Sequence, residues 1–218
     1  MSSSVKVFTV HNHEINAPCE LELIENPEDE HIEYVEKKWS PILKEYHNRA
    51  VLSYRTLPEE SWSHEAWEEI QTQYGAPDAH WNWAEKRASI LEASQRMYAL
   101  VARDSVEALM CLDLSAYSMI RKKPVTNIVY VDYLAVAPWN RAAIQQRPRF
   151  KGLGKIMLGV AVSISLEEEM DGRCGLHSLP QSEGFYTRVG MKDTGLLDKH
   201  HLKYFEFEPE AARIFLRD

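Results

Sequence analysis

The sequence predicts an α/β fold: a mixed, mostly antiparallel central sheet flanked by helices, with an extra helical segment inserted before a central hairpin. Three observations carry this. From residue 97 onward the hydrophobic patterns run strand, strand, strand, helix, strand, helix, strand, strand, unlike the strict alternation of an all-parallel doubly wound sheet. Two apolar, β-prone runs, 97–103 and 106–114, are separated only by Asp104-Ser105, the length of a tight hairpin. Ahead of them, residues 61–96 read as tryptophan-rich helices. The 218 residues suffice for one sizeable domain, 1–218, with its core at 97–207.

Taken in order, residues 5–10 alternate loosely and predict a first strand. Residues 27–49 place Ile32, Val35, Trp39, Ile42, Leu43 and Tyr46 at helical spacing, and Pro41 is positioned to split that helix. The helical stretch 61–94 carries Trp62, Trp67, Trp81 and Trp83, and Gly75-Ala76-Pro77-Asp78 divides it with a turn. Those rings either pack the helices onto the core, as the area an aromatic buries favours, or wall an acceptor site. After the hairpin, residues 127–137 form a third strand that Pro138 stops. From Gly152 a helix begins, with Leu153, Ile156, Met157, Val160 and Ile164 as its apolar stripe. Glu167-Glu168-Glu169 near its end oppose the helix dipole and should face solvent, and Gly172 suits its cap. Residues 173–179 make a short strand. Ser182 is placed to cap a short helix with Phe185, Tyr186 and Val189, closed by Gly190. Two strands, 193–197 and 202–207, and a helix at 209–216 complete the chain.

Apolar residues make up 44% of the chain and charged residues 27%, the composition of a soluble globular protein. Met1-Ser2-Ser3-Ser4 is polar and no apolar h-region comes after it, so no secretory signal is expected. No run approaches the ~18 apolar residues of a membrane span. Cys19, Cys111 and Cys174 are far apart and odd in number, which fits neither a disulfide framework nor a zinc site. A cytoplasmic location is the expectation. His11-x-His13 and His200-His201 lack partners at metal spacing, so no metal is expected. The net charge of −8 argues against nucleic acid as a partner and no membrane partner is expected; a homodimer is left open.

The charge is unevenly placed. Between Val7 and Glu36 there is no Lys or Arg but nine acidic residues, from Glu14 to Glu36. This reads as a solvated face, and would also suit a cationic amine. Between Tyr133 and Leu166 there is no Asp or Glu, yet Arg141, Arg147, Arg149, Lys151 and Lys155 fall there.

That basic stretch surrounds Arg149-Phe150-Lys151-Gly152-Leu153-Gly154, which lies between a strand and a helix. Free N–H groups at a helix start, with the helix dipole, make an anion site. Two phosphate-loop patterns fail on residues. A Walker A loop needs Ser or Thr after Gly154-Lys155, where Ile156 stands, and a first glycine where Arg149 stands. A dinucleotide fingerprint needs a third glycine where Met157 stands.

The pattern [Q/R]-x-x-G-x-[G/A] fits fully, and with it the chain resembles the GNAT superfamily of N-acyltransferases. The strand end Tyr133-Leu134-Ala135-Val136-Ala137-Pro138 resembles that family's L-x-V-x-P, and Phe185-Tyr186-Thr187-Arg188-Val189-Gly190-Met191 resembles its F-Y-x-x-x-G-[FM] element. All three occur in the family's order, within residues 97–207. Two departures stand out. Residues 137–148 make a longer loop than the family's usual one, with Trp139 to Pro148 as the insertion, and Leu179 stands where the family often has an Asn.

The resemblance implies acetyl-CoA as co-substrate and a primary amine, on a small molecule or a protein, as acceptor. Arg149, Phe150, Lys151, Gly152, Leu153, Gly154 and Lys155 would hold the pyrophosphate. The backbone of Leu134, Ala135 and Val136 would pair with pantetheine as an added strand does, the Val136 N–H polarising the thioester carbonyl. Tyr186 would be the general acid for the departing thiolate. For the base, Asp132 shares a strand face with Tyr130, and a carboxylate there serves only if burial raises its pKa; a water or His177 are the other candidates. An alternative class is a non-catalytic acyl-CoA-binding regulatory or partner-binding protein, which the retained Tyr186 argues against. A toxin-type enzyme acting on charged tRNA is disfavoured by the net charge.

Overall fold

The computed structural model describes residues 6–90, 94–120 and 123–217. β1 (Lys6–Asn12) and β2 (Ala17–Glu25) form an antiparallel hairpin with Lys6 opposite Leu23. Val5, expected to start β1, lies outside the described residues. β2 falls inside the acidic stretch and was not expected from the sequence. Its signal is period two: Glu20 and Glu22 point out while Leu21 is fully buried. The acidic stretch is therefore one face of a strand and part of a helix, not a single solvated face.

The helix predicted at 27–49 is two, α1 (Asp29–Lys38) and α2 (Ser40–Arg55), breaking at Trp39. Pro41 sits in the first turn of α2, where its missing N–H is tolerated. α3 (His64–Tyr74) ends at Gly75, whose φ of 67° is left-handed, and α4 (Trp83–Ala88) comes next. β3 (Gln95–Ala102) and β4 (Ser105–Asp113) form the predicted hairpin, and β5 (Val129–Val136) the third strand. α5 (Leu153–Glu167), β6 (Cys174–Ser178), α6 (Glu183–Arg188), β7 (Lys192–Leu197), β8 (Lys203–Phe207) and α7 (Pro209–Phe215) complete the order. The C-cap of α5 is Glu168, not Gly172, which turns the chain into β6 with a φ of 78°.

Among the described residues the sheet has eight strands, in the order β1-β2-β3-β4-β5-β6-β8-β7. β6–β8 and β7–β8 are antiparallel, and β5–β6 is parallel. The chain divides into two compact units. The first comprises Met1–Ser89, Ala99–Ala108 and Ala135–Lys151, the second Ile90–Tyr98, Leu109–Leu134 and Gly152–Asp218.

The core of the first unit centres on Trp39, fully buried, its ring edge-on to Trp83 and Trp139 with centroids 6.5 Å away in each case. Its indole N–H donates to the Val106 carbonyl at 3.2 Å. Trp83 thus packs the helices onto the core, whereas Trp62 is 48% exposed and stacks on Tyr54. In the second unit α5 is buried nearly all round, by Leu158, Ala161 and Val162 as well as by most of its predicted stripe.

The crowding of β6 yields a prediction. A Cβ on Gly175 would lie 2.2 Å from the Tyr204 hydroxyl and 2.8 Å from Ile128 Cδ1. Tyr204 cannot swing away cheaply, because its hydroxyl donates to Glu206 at 2.9 Å. Glu206 is fully buried and also accepts from Ser118 Oγ at 2.6 Å and the Met119 N–H at 3.1 Å. Gly175→Ala is expected to destabilise the fold by about 3 kcal/mol through overpacking, read as a lowered urea midpoint at unchanged slope.

Candidate active site

In the first unit, the start of the Arg149–Gly154 loop is held by a buried carboxylate. Glu107, on β4, is fully buried, and among the described residues its carboxylate accepts four bonds. They come from Ser105 Oγ at 2.7 Å, Arg149 at 3.1 Å, the Trp139 indole at 2.7 Å and Asn140 Nδ2 at 2.7 Å. Arg149 also pairs with Glu14 at 2.9 Å and lies over the Trp139 ring at 5.2 Å. Burial works against its charge; Glu107 and Glu14 outweigh that and hold its pKa above the ordinary value. Asn140 Oδ1 accepts from the Phe150 N–H at 2.9 Å, and the Arg149 carbonyl accepts from the His13 N–H at 2.8 Å. Arg149 and the Phe150 N–H are thus committed to building the loop.

The segment from Trp139 to Pro148 is built into this unit. Arg141 grips Asp78 with both terminal nitrogens and donates to the carbonyls of Gly75 and Val136, the latter at 2.9 Å. Tyr46 donates to the Ile144 carbonyl at 3.2 Å. Lys151 is exposed, and neighbouring His13 titrates below its ordinary value through desolvation, then the charges of Lys151 and His11.

In the second unit, Gly152 is the N-cap of α5 with a φ of 81°, a left-handed conformation that favours glycine. The Ile156 N–H closes the first turn onto the Gly152 carbonyl at 3.0 Å. The N–H groups of Leu153, Gly154 and Lys155 precede the first intrahelical donor, that of Ile156, and point out of the helix start. Gly154 faces the Phe185 ring of α6, and the Lys155 side chain is exposed. Tyr186, on α6, is 8% exposed, with its ring against Phe185 and Phe205. Burial, then the nearby Cys174, pushes its phenol pKa far up, so it keeps its proton at neutral pH. Among the described residues no hydrogen bond engages its hydroxyl.

The β5–β6 ladder covers only Val129–Val131 against Cys174–Leu176. β5 continues through Asp132–Val136, so among the described residues its last five residues have no ladder partner in β6. Asp132 and Leu134 thus lie on an open edge of the second unit. Ala135 and Val136 end the strand in the first.

Asp132 is joined to a cluster only part of which was expected from the sequence. The Lys199 ammonium donates to Asp132 Oδ1 at 2.7 Å and to the Tyr130 hydroxyl at 3.3 Å. Tyr130 meets His177 Nδ1 at 2.6 Å, and His177 Nε2 meets the Asp198 carboxylate. A carboxylate accepts, so His177 carries its hydrogen on Nε2 and Tyr130 donates to Nδ1. Burial raises the Tyr130 pKa. Desolvation works to lower that of Lys199, and its bonds to Asp132 and Tyr130 outweigh it and raise it. Tyr130, Asp132 and His177 are candidates from the sequence; Asp198 and Lys199 are not. Among the described residues no group of three or more His, Cys, Asp or Glu could hold a metal ion, and no helix is long and apolar enough to cross a membrane.

No family model matches the chain, and no curated protein sequence does. Solved structures do. A bacterial toxin aligns with a TM-score of 0.52 at 13% identity, covering 66% of this chain and 84% of that one. PaiA N-acetyltransferase from Thermoplasma acidophilum, in complex with coenzyme A, aligns at 0.48 and 16% identity, covering 85% and 98%. FeeM, an N-acyl amino acid synthase from uncultured soil microbes, aligns at 0.47 and 13%, covering 60% and 78%. At these identities the likeness is one of fold alone.

Proposed function

We propose that this protein is an N-acetyltransferase, a single acyl-CoA N-acyltransferase domain that moves an acetyl group from acetyl-CoA directly to a primary amine. The observation that carries this is the helix start at Gly152–Lys155, with free N–H groups and exposed lysines, inside a loop that matches the acyl-CoA pattern. The open edge of β5 supports it, because an extended pantetheine arm pairs with such an edge as an added strand.

Lys151, Lys155 and the N–H groups of Gly152, Leu153 and Gly154 hold the pyrophosphate, on a loop that Arg149 and Phe150 shape. Leu134, Ala135 and Val136 align the pantetheine, and the Val136 N–H polarises the thioester carbonyl. The amine gives up its proton to Asp132 or a water. It then attacks the thioester carbon; the C–N bond forms, the C–S bond breaks, and Tyr186 protonates the leaving thiolate.

The test is acetyl-CoA binding by calorimetry together with thiol release across a panel of primary amines. Binding and amine-dependent release are expected. Binding with no turnover on any amine would leave the alternative, a non-catalytic acyl-CoA-binding regulatory or partner-binding protein.

A further inference from the structure

We propose that the Lys199 side chain occupies a seat built for the ammonium of the acceptor, and that the acceptor is a primary amine at the end of an unbranched alkyl chain. The chemistry after binding rests on the acyl-transfer reading; the binding itself rests on geometry alone.

The seat offers what a primary ammonium takes. Lys199 Nζ lies 2.7 Å from Asp132 Oδ1, 3.3 Å from the Tyr130 hydroxyl and 5.0 Å from the centre of the Tyr130 ring. A carboxylate, a neutral oxygen and an aromatic face together stabilise a cation on a flexible stem. All of these groups lie in the second unit, on or beside β5 where its ladder to β6 ends.

Lys199 is also placed to leave. It opens a one-turn 3-10 segment, Lys199–His201, whose first N–H is held by Asp198 at 2.8 Å. Its side chain is 41% exposed. A wet ion pair of this kind is weak, and ordering a lysine costs up to about 2 kcal/mol of rotamer entropy. The retracted state is therefore accessible, and an incoming ammonium can take the vacated position.

In the acidic stretch from Glu14 to Glu36, the other place the sequence offers for a cation, at least four of the nine carboxylates have partners within the protein. Glu14 holds Arg149, Asp29 lies 3.3 Å from Arg87, and Glu33 pairs with Lys37 at 2.8 Å. Glu36 accepts from Ser40 and from the Trp83 N–H.

The seat also has an exit for the proton. An ammonium N–H donates to the Tyr130 oxygen, while the Tyr130 O–H donates to His177 Nδ1. Moving both protons one step leaves a neutral amine, an intact phenol and an imidazolium whose Nε2–H faces Asp198. Atoms and charge balance without any further reactant. On this route Asp132 is the anchor that brings the ammonium in and not the base, and His177, through Tyr130, takes the proton in place of Asp132 or a water.

The experiment is calorimetric titration of the full chain with n-butylammonium chloride, and in parallel with Nα-acetyl-lysine amide. If Lys199 fills the seat about nine-tenths of the time, Lys199→Met should bind either probe about tenfold more tightly than the unaltered protein. Adding Asp132→Asn to Lys199→Met should remove that gain. Lys199→Gln serves if the methionine variant does not fold, thermal melts deciding which is used. A Lys199 variant that binds neither probe more tightly overturns the proposal, as does a gain that survives Asp132→Asn. Acetyl-CoA binding, measured on the same proteins, separates the two readings. If acetyl-CoA fails to bind and the ammonium gain appears, the transferase reading falls and the seat stands.

Discussion

Replacing Tyr186 with phenylalanine is expected to lower kcat by about 10²–10³-fold while acetyl-CoA binding stays within a factor of about two. The substitution is clean. The ring is held by Phe185 at 5.1 Å and Phe205 at 5.8 Å, and phenylalanine keeps both contacts. No hydrogen bond to the hydroxyl is lost among the described residues. What disappears is one proton. A phenol of ordinary pKa ~10 lies ~1.5 units above a thiol, so full transfer before bond cleavage is uphill by ~2 kcal/mol. Burial raises the Tyr186 pKa further and steepens that climb. On the proposed role of Tyr186, the proton therefore moves as the C–S bond breaks, when sulfur becomes basic. The direction of the shift gives a pH signature as well. If Tyr186 is the general acid, its protonated form is the active one and its pKa lies above the ordinary value, so it should impose no fall in kcat up to about pH 10. Stopped assays of kcat against pH, with calorimetric Kd values for both proteins, check this. A Tyr186→Phe enzyme within threefold of the parent would remove Tyr186 from the chemistry.

The parts legible in the sequence are those whose signal is local. The loop at Arg149–Gly154 can be read because its glycines and basic residues are contiguous, and Gly152 does adopt the left-handed cap that its residue type permits. Periodicity reveals the β3–β4 hairpin, α5 and α6 for the same reason. The parts that are not legible depend on which strands become neighbours. Tyr130 and His177 are 47 residues apart and meet because β5 and β6 run parallel, with Tyr130 opposite Gly175. Lys199 reaches Asp132 from a turn with no periodic pattern. Sequence alternation puts Tyr130 and Asp132 on one face, but does not reveal what stands opposite. Likewise Arg149 reads as a phosphate ligand by position, and only the burial of Glu107 shows its charge to be committed within the protein. β2 escapes for a different reason: its alternating glutamates dominate the charge pattern and mask a strand of period two.

Glu107→Ala is expected to cost about 3–5 kcal/mol of stability and to weaken acetyl-CoA binding about tenfold or more, an effect of a buried anion and not of a surface pair. Its carboxylate accepts from four donors on three segments: Ser105, Trp139 with Asn140, and Arg149. Removing it leaves buried donors without an acceptor, each costing about 1–3 kcal/mol, and frees the segment that positions Phe150. Glutamine keeps the shape but not the chemistry. Its NH₂ must face either Arg149 and Ser105 or Trp139 and Asn140, so a donor meets a donor in either orientation, and little rescue is expected. Glu14 supplies the contrast. It contacts the same guanidinium at 2.9 Å, but its side chain is 50% exposed, so Glu14→Gln should cost no more than about 1 kcal/mol. Urea denaturation of the three variants, paired with acetyl-CoA titration, separates the contributions. Equal losses for Glu107→Ala and Glu14→Gln would mean that Arg149 is held by its surface pair. The loop would then be shaped by its own backbone alone. A large loss at Glu107 with coenzyme affinity unchanged would mean that the carboxylate supports the fold and leaves the phosphate site to Gly152–Lys155.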